Sequence, residues 1–163
     1  MPLGVLALAA YGPAPARPAA GPAVTSSLTI PIDADVEFPP KPGETVHLAG
    51  QALITSTATV GAETFTVRLT VQLLRVRGTG SLTGAPYTAT GNGSRQFTFP
   101  EATSVPPGGV GPFVTTYRLL CTDRTQGDAS ARFARLRLTL TPALDGDGYL
   151  TGATAELKTD PVR

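Results

Sequence analysis

The feature that most constrains this chain is a strict alternation of apolar and polar residues that breaks once. From Phe65 to Leu73 every second residue is apolar, and beyond that point Leu74 and Val76 carry the apolar side. A period of two places successive side chains on opposite faces of a sheet. The segment therefore predicts a long, half-buried strand whose phase slips by one residue.

A long hairpin accounts for the position of this strand. Residues 45–60 and 63–78 both have the composition of strands, and only Gly61-Ala62 separates them. Glycine at the first of two loop positions suits a type II′ turn, which matches the twist of the flanking strands. The sequence therefore predicts that the two segments pair as an antiparallel hairpin.

The same loop fixes a register that can be followed up to the phase slip. Counted along both strands from the loop, the pairing brings Gly50 opposite Leu73. A β-bulge at Leu73-Leu74 over Gly50 would shift the register by one residue, so that Leu48 pairs with Val76. The slip is then a bend in the hairpin that returns apolar residues to the core.

The remainder of the sequence continues this β pattern. Hydrophobic residues make up 41% of the chain and charged residues 15%, and 18 Gly and 16 Pro punctuate the alternating segments. No segment has a sustained helical period, and Asn92-Gly93 is a strong hairpin-turn signal. We expect one all-β domain over residues 25–163, an antiparallel β-sandwich or flattened barrel of about seven to nine strands.

Residues 1–24 differ from the rest of the chain. The run LGVLALAA resembles the apolar centre of an export signal, although the basic residues that usually precede such a centre are missing. This run is far too short to span a bilayer, so no transmembrane segment is predicted. Three interpretations stay open: the remnant of a signal, a flexible Pro/Ala-rich lead-in, or an arm that docks on a neighbouring chain.

Few residues have the chemistry of a catalytic or metal site. The single histidine, His47, lies on the polar side of its strand, and the single cysteine, Cys121, ends a strand on the apolar side. We expect a solvent-facing or cross-strand-bonded histidine and a buried thiol, with an intermolecular disulfide as the alternative for Cys121. No nucleophile, acid–base or metal motif accompanies them, so neither an enzyme nor a cofactor is predicted.

Two short motifs are interpreted as turns or surface features. Asp145-Gly146-Asp147-Gly148 lacks the third acidic ligand and the distal glutamate of a calcium loop, so a plain hairpin turn is expected. Asn92-Gly93-Ser94 matches the glycosylation acceptor pattern, which any Asn-Gly turn followed by serine would also match.

Arginine side chains supply the candidate binding surface. Eleven of the thirteen basic residues are arginine, and two long strands carry six of them: Arg68, Arg75, Arg77, Arg132, Arg135 and Arg137. If those strands are neighbours, their polar faces form a basic, Thr-flanked patch suited to an anionic polysaccharide, phosphate or an acidic partner. The alternative is a solvated face that protects the strands from wrong pairing. Because the net charge is only +1 and no recognised module is present, no nucleic-acid partner is expected.

One stretch resembles a known group of proteins. HLAGQALITSTATV and FTVRLTVQLLRVRGTGSLTGAPYTATG form a long hairpin that ends in Gly-x-Gly, followed by Thr-Gly-x-x-Tyr and a further glycine. Together with FVTTYRLLC and RLRLTLTPALDGDGYLTGA, this pattern is similar to exported bacterial all-β proteins of uncharacterised function over most of residues 45–157. The resemblance implies an exported β-sandwich and brings no catalytic residues. Its motif positions here are Gly78, Gly80, Thr83, Gly84, Tyr87 and Gly91.

These observations predict a non-enzymatic, exported or surface β-domain that acts by binding or by assembly, including assembly with copies of itself. One alternative is a structural subunit of a fibre, capsid or coat that uses residues 1–24 as a docking arm. Another is a lipocalin-like carrier, whose cavity would be lined by Phe65, Leu69, Leu136 and Leu138. A hydrolase would need His47 within hydrogen-bond reach of a nucleophile.

Overall fold

The computed structural model of the chain describes residues 23–38, 44–107, 109–121 and 133–160. The interpretations of residues 1–22 lie outside the described residues. Within these ranges the chain forms eight strands: β1 (Val24–Phe38), β2 (Glu44–Val60), β3 (Thr64–Gly80), β4 (Pro86–Thr90), β5 (Asn92–Pro100), β6 (Phe113–Cys121), β7 (Phe133–Leu144) and β8 (Leu150–Thr159).

All eight strands belong to one antiparallel sheet. The hydrogen-bonded order is β1-β2-β3-β4-β6-β7-β8, and β5 also pairs with β3. Since β8 returns to lie beside β1, the sheet closes into a nearly complete barrel. The predicted all-β class and strand number are confirmed, with one curved sheet in place of two packed layers. No helix among the described residues is long and apolar enough to cross a membrane.

Two buried serines join the edges of the sheet. Ser26 of β1 and Ser56 of β2 are direct cross-strand partners, and both are fully buried. The Ser26 hydroxyl accepts a hydrogen bond from Leu150 N at 2.9 Å, and the Ser56 hydroxyl donates to the Gly148 carbonyl at 2.9 Å. Because a buried backbone N–H without a partner costs about 1–3 kcal/mol, this pair holds β8 against β1 where no backbone ladder does so.

The β2–β3 hairpin forms with a turn one residue further along than expected. Gly61 N donates to the Thr64 carbonyl at 2.7 Å, so Ala62 and Glu63 are the turn residues and the predicted Gly61-Ala62 turn is wrong. Every pairing consequently moves by two positions, and Val60 lies opposite Phe65. A shift of two residues keeps each side chain on its face, so the assignment of inner and outer residues still holds.

The predicted bulge exists, but at a different pair of residues. Gln51 pairs with Leu74 and Ala49 pairs with Arg77, which leaves Arg75 and Val76 together opposite Gly50. The bulge therefore lies at Arg75-Val76, and the prediction of Leu73-Leu74 is wrong. Arg75 adopts a positive φ of 51°, a conformation common at the first residue of a glycine-type bulge and costly for a side chain with a Cβ.

Strands β4 and β5 form one long partner of β3 that bends at Gly91. Val76 pairs with Ala89 above the bend, and Gln72 pairs with Asn92 below it. Gly91 has a φ of 131° at the bend. The predicted hairpin at Asn92-Gly93 is therefore wrong, because both residues pair with β3.

The glycine at position 93 serves close packing instead of a turn. A Cβ on Gly93 would lie 2.7 Å from the Cβ of Thr115 on β6, which is closer than real Cβ atoms approach. The backbone hydrogen-bond ladder between β4 and β6 ends at Thr90 and Arg118. Beyond this point side-chain contacts, and not backbone hydrogen bonds, connect β6 to the neighbouring part of the sheet. The Tyr117 hydroxyl, for example, donates to the Val71 carbonyl at 3.2 Å.

The inner faces of the strands meet in one continuous core. Val105, in the connection between β5 and β6, is buried against this core, and its N–H donates to the Gly146 carbonyl at 2.9 Å. The side chains named above as a carrier's lining are all packed in the core at 0–2% exposure: Phe65, Leu69, Leu136 and Leu138. This packing does not favour the carrier alternative.

The bulge gives the first prediction. A Cβ on Gly50 would lie 2.7 Å from the Val76 Cα and 2.8 Å from the Arg75 carbonyl oxygen, both backbone atoms that cannot rotate away. We expect Gly50→Ala to lower the free energy of unfolding by about 1–3 kcal/mol, measured by urea denaturation. Gly146→Ala is the matched control, because a Cβ there meets nothing within 4 Å. Equal midpoints for the two variants would contradict the assignment of the bulge.

Candidate functional site

The predicted arginines fall into two separate groups on the outer face. Arg68, Arg75 and Arg77 lie exposed on β3, while Arg135 and Arg137 lie exposed on β7. Strands β3 and β7 are not neighbours, because β4 and β6 lie between them. The two groups therefore do not form the single patch that adjacent strands would give. Arg132 lies outside the described residues.

Arg68 is surrounded by hydroxyl and amide side chains. It pairs with Thr57 on one side and Gln96 on the other, and the neighbouring outward positions of β2 and β3 are threonines. This part of the barrel surface is thus polar and nearly uncharged.

The β7 arginines lie beside a residue that was not among the predicted site residues. Arg118 of β6 is the direct cross-strand partner of Arg135, and both side chains are exposed. Like charges placed opposite each other destabilise an antiparallel pair. No carboxylate of the described residues forms an ion pair with either side chain, whereas Arg137 is paired with Asp160 at 2.6 Å. Arg118 and Arg135 are therefore two adjacent guanidinium groups that form no ion pair with any carboxylate in the part of the chain that the structure describes.

An open depression of about 560 Å³ lies over this arginine pair. Thr90 and Asn92 form its β4–β5 side, where the bend at Gly91 separates β5 from β6. Phe133 is 54% exposed at the β7 side, and the Arg118 guanidinium lies over its ring at 5.8 Å from the centroid. The depression thus combines two cations, neutral hydrogen-bonding groups and one exposed aromatic ring.

A second depression lies on the other side of β4. Its lining includes His47 of β2, Arg77 and Thr79 of β3, and Thr88 of β4. Arg77 forms no ion pair with a carboxylate of the described residues. Both depressions are open to solvent and share the outer face of β4.

His47 is held between two carboxylates of β1. Its Nδ1 lies 2.7 Å from Asp35 Oδ1, and its Nε2 lies 3.0 Å from Asp33 Oδ1. The hydrogen bond with Asp35, followed by the charge of Asp33, raises the pKa of His47 above its ordinary value of 6.5. The prediction of a cross-strand-bonded histidine is confirmed. Within the described ranges, no three His, Cys, Asp or Glu side chains are placed to share a metal ion.

The residues that carry the resemblance have a structural role around Glu44. This carboxylate is 6% exposed and accepts hydrogen bonds from Thr83 N at 3.2 Å, from the Thr83 hydroxyl at 2.7 Å and from the Tyr87 hydroxyl at 2.9 Å. Burial acts to raise the pKa of Glu44, but the donors from Thr83 and Tyr87 outweigh it and lower that pKa below its ordinary value. Gly80 lies against the carboxylate and leaves no room for a side chain there. The Thr-Gly-x-x-Tyr pattern thus fixes the turn between β3 and β4.

Cys121 and the Asp-Gly turn also have structural settings. Cys121 is 5% exposed and lies opposite Tyr87, so its sulfur is covered by the core, and an intermolecular disulfide would require β6 to open locally. The Asp145 carboxylate accepts hydrogen bonds from Asp147 N at 3.0 Å and Tyr149 N at 2.9 Å. This is the turn that was predicted for the Asp-Gly motif.

Comparison with protein-family models, with curated proteins and with solved structures gives no match to this chain. The resemblance to exported bacterial all-β proteins therefore stays a prediction.

The histidine clamp gives the second prediction. Because its pKa is raised in the folded state, protonated His47 stabilises the fold fully below pH 6.5, and this contribution is lost as the pH rises through the folded pKa. Asp35→Asn should lower the pKa of His47 more than Asp33→Asn does, since the hydrogen bond with Asp35 is the larger cause. NMR titration of the single histidine ring measures both shifts.

Asp147→Asn is the control for this titration, because Asp147 lies in the turn between β7 and β8, which contacts β2 at Ser56, at the opposite end of the strand from His47. A His47 pKa at or below 6.5 in the unmodified protein would contradict the clamp.

Proposed function

We propose that this chain is a non-enzymatic binding protein, exported or displayed on a surface, that holds an acidic group of a carbohydrate in the depression over Arg118 and Arg135. The observation that carries the proposal is the direct opposition of two exposed arginines, neither of which forms an ion pair with a carboxylate of the described ranges. Such a pair of like charges destabilises the fold, and a bound anion would neutralise the repulsion between the two guanidinium groups.

The surroundings of the arginine pair favour an acidic sugar over a simple anion. Two guanidinium groups can bind one carboxylate or sulfate through paired hydrogen bonds. Phe133 offers an exposed ring to the apolar face of a sugar, and Thr90 and Asn92 offer hydrogen-bonding groups to its hydroxyls. Specific small-ligand sites usually combine apolar surface with a few polar groups in this way.

The third prediction tests this proposal with polygalacturonate as the probe. Arg118→Gln and Arg135→Gln should each weaken binding by roughly tenfold or more, measured by isothermal titration calorimetry, because hydrogen bonds to charged groups contribute about 1.5–3 kcal/mol. Arg95→Gln is the matched control, since Arg95 also lies over a phenylalanine ring, at 5.2 Å from the Phe97 centroid, but outside the depression.

Two further results separate a sugar site from general charge attraction. Phe133→Ala should weaken polygalacturonate binding more than it weakens inorganic sulfate binding, because the ring contacts the sugar as well as lying under the Arg118 guanidinium. Arg135→Gln should not lower the free energy of unfolding, because it relieves a like-charge pair. Failure of the wild-type protein to bind polygalacturonate, or an equal loss in Arg95→Gln, would refute the proposed function.

A further inference from the structure

We propose that the two depressions are subsites of one track across the barrel wall, so that the ligand is an extended acidic polysaccharide that binds Arg77 as well as the Arg118–Arg135 pair. This inference rests on the proposed function and extends it from a single acid group to a polymer.

Strand β4 connects the two depressions. Thr88 lines the depression that contains Arg77, and Thr90 lines the one that contains Arg118. Residues two apart on a strand face the same side and lie about 6.6–6.8 Å apart, so the two threonines are consecutive outward positions. A ligand that leaves one depression along β4 therefore enters the other.

The cross-strand register gives the spacing of the cationic groups. Arg77 pairs with Thr88, which pairs with Leu120, and Arg118 lies two residues before Leu120 on β6. With strands about 4.8 Å apart, the Cα atoms of Arg77 and Arg118 are separated by roughly 12 Å, and those of Arg77 and Arg135 by roughly 16 Å. A small anion bound in one depression leaves the other empty, whereas a short chain of sugars can lie in both.

The charges along the track suit an acidic polymer. Arg77 is free of ion pairs with described carboxylates, and the nearest acidic groups beyond it, Asp33 and Asp35, are bound by His47. Three arginines supply the cations of the track: the directly opposed Arg118 and Arg135, and Arg77 at roughly 12 Å from Arg118. Strands of nucleic acid are usually bound in a continuous basic groove with several stacking aromatic side chains. This track has three arginines and the exposed ring of Phe133, so an acidic polysaccharide fits it better than a nucleic acid.

The dependence of affinity on ligand length tests the track. The probes are the monomer, trimer and hexamer of galacturonic acid, with calorimetric titration of the wild type and of Arg77→Gln, Arg118→Gln and Arg68→Gln. Arg77→Gln should weaken hexamer binding roughly 3- to 10-fold and leave monomer binding unchanged. Arg118→Gln should weaken binding of all three ligands. Arg68→Gln, the control on the same strand below the bulge, should change none of them.

The outcomes distinguish the track from the underlying site. If Arg77→Gln binds the hexamer as tightly as the wild type while Arg118→Gln does not, the track is refuted and the single site stands. If no galacturonate binds to the wild type, both proposals fail. Displacement of the bound hexamer by an equal concentration of single-stranded DNA would refute the polysaccharide assignment, and an unchanged complex would support it.

Discussion

The β-bulge opposite Gly50 is the constraint on which the rest of the barrel depends. β3 is hydrogen-bonded along its whole length to β2, and the two residues Arg75 and Val76 that face Gly50 change its register by one. The partner on its other edge has to absorb the same change, and it does so at Gly91, where β4 becomes β5. A single inserted residue thus bends three neighbouring strands at one level of the barrel.

The bend decides where the wall of the barrel can open outward. Above it, β4 pairs with β6 through backbone hydrogen bonds, and below it β5 contacts β6 through the side chains of Thr115, Tyr117 and Phe97. The depression over Arg118 and Arg135 lies where the ladder ends. The structural irregularity that interrupts the strand pattern and the candidate binding site are therefore consequences of the same inserted residue.

Much of this arrangement could be predicted from the sequence, because alternation determines which face each side chain occupies. The inner faces of β3, β6 and β7 and the existence of a bulge near Gly50 follow directly from it. Register does not, since a shift of two residues leaves every face unchanged, and the hydrogen bond from Gly61 to Thr64 moved the turn by one position. The Asn92-Gly93 pair wrongly indicated a turn. Glycine is needed at position 93 because the backbone there packs closely against Thr115, a residue distant in sequence.

The candidate site was harder to predict than the fold. The alternation of apolar and polar residues shows which face a side chain occupies, but it does not show which strands are neighbours in the sheet. Arg118 alternates with apolar residues in FVTTYRLLC, so its outward direction was visible in the sequence, but its partner Arg135 depends on β6 pairing with β7. The role of Glu44 as the hydrogen-bond acceptor for Thr83 and Tyr87 could not be predicted from the sequence, because these donors lie about forty residues further along the chain.

In the proposed arrangement the ligand lies on the outer face of β4, β6, β7 and the Arg77 end of β3, while the hydroxyl-rich surface around Arg68 at the other end of β3 stays solvated. NMR of the arginine side-chain Nε–H groups during titration with the galacturonic acid hexamer tests this assignment most directly. We expect saturable shifts for Arg77, Arg118 and Arg135 and unchanged signals for Arg68 and Arg95. Shifts confined to Arg68 and Arg95, or none at any arginine, would contradict it.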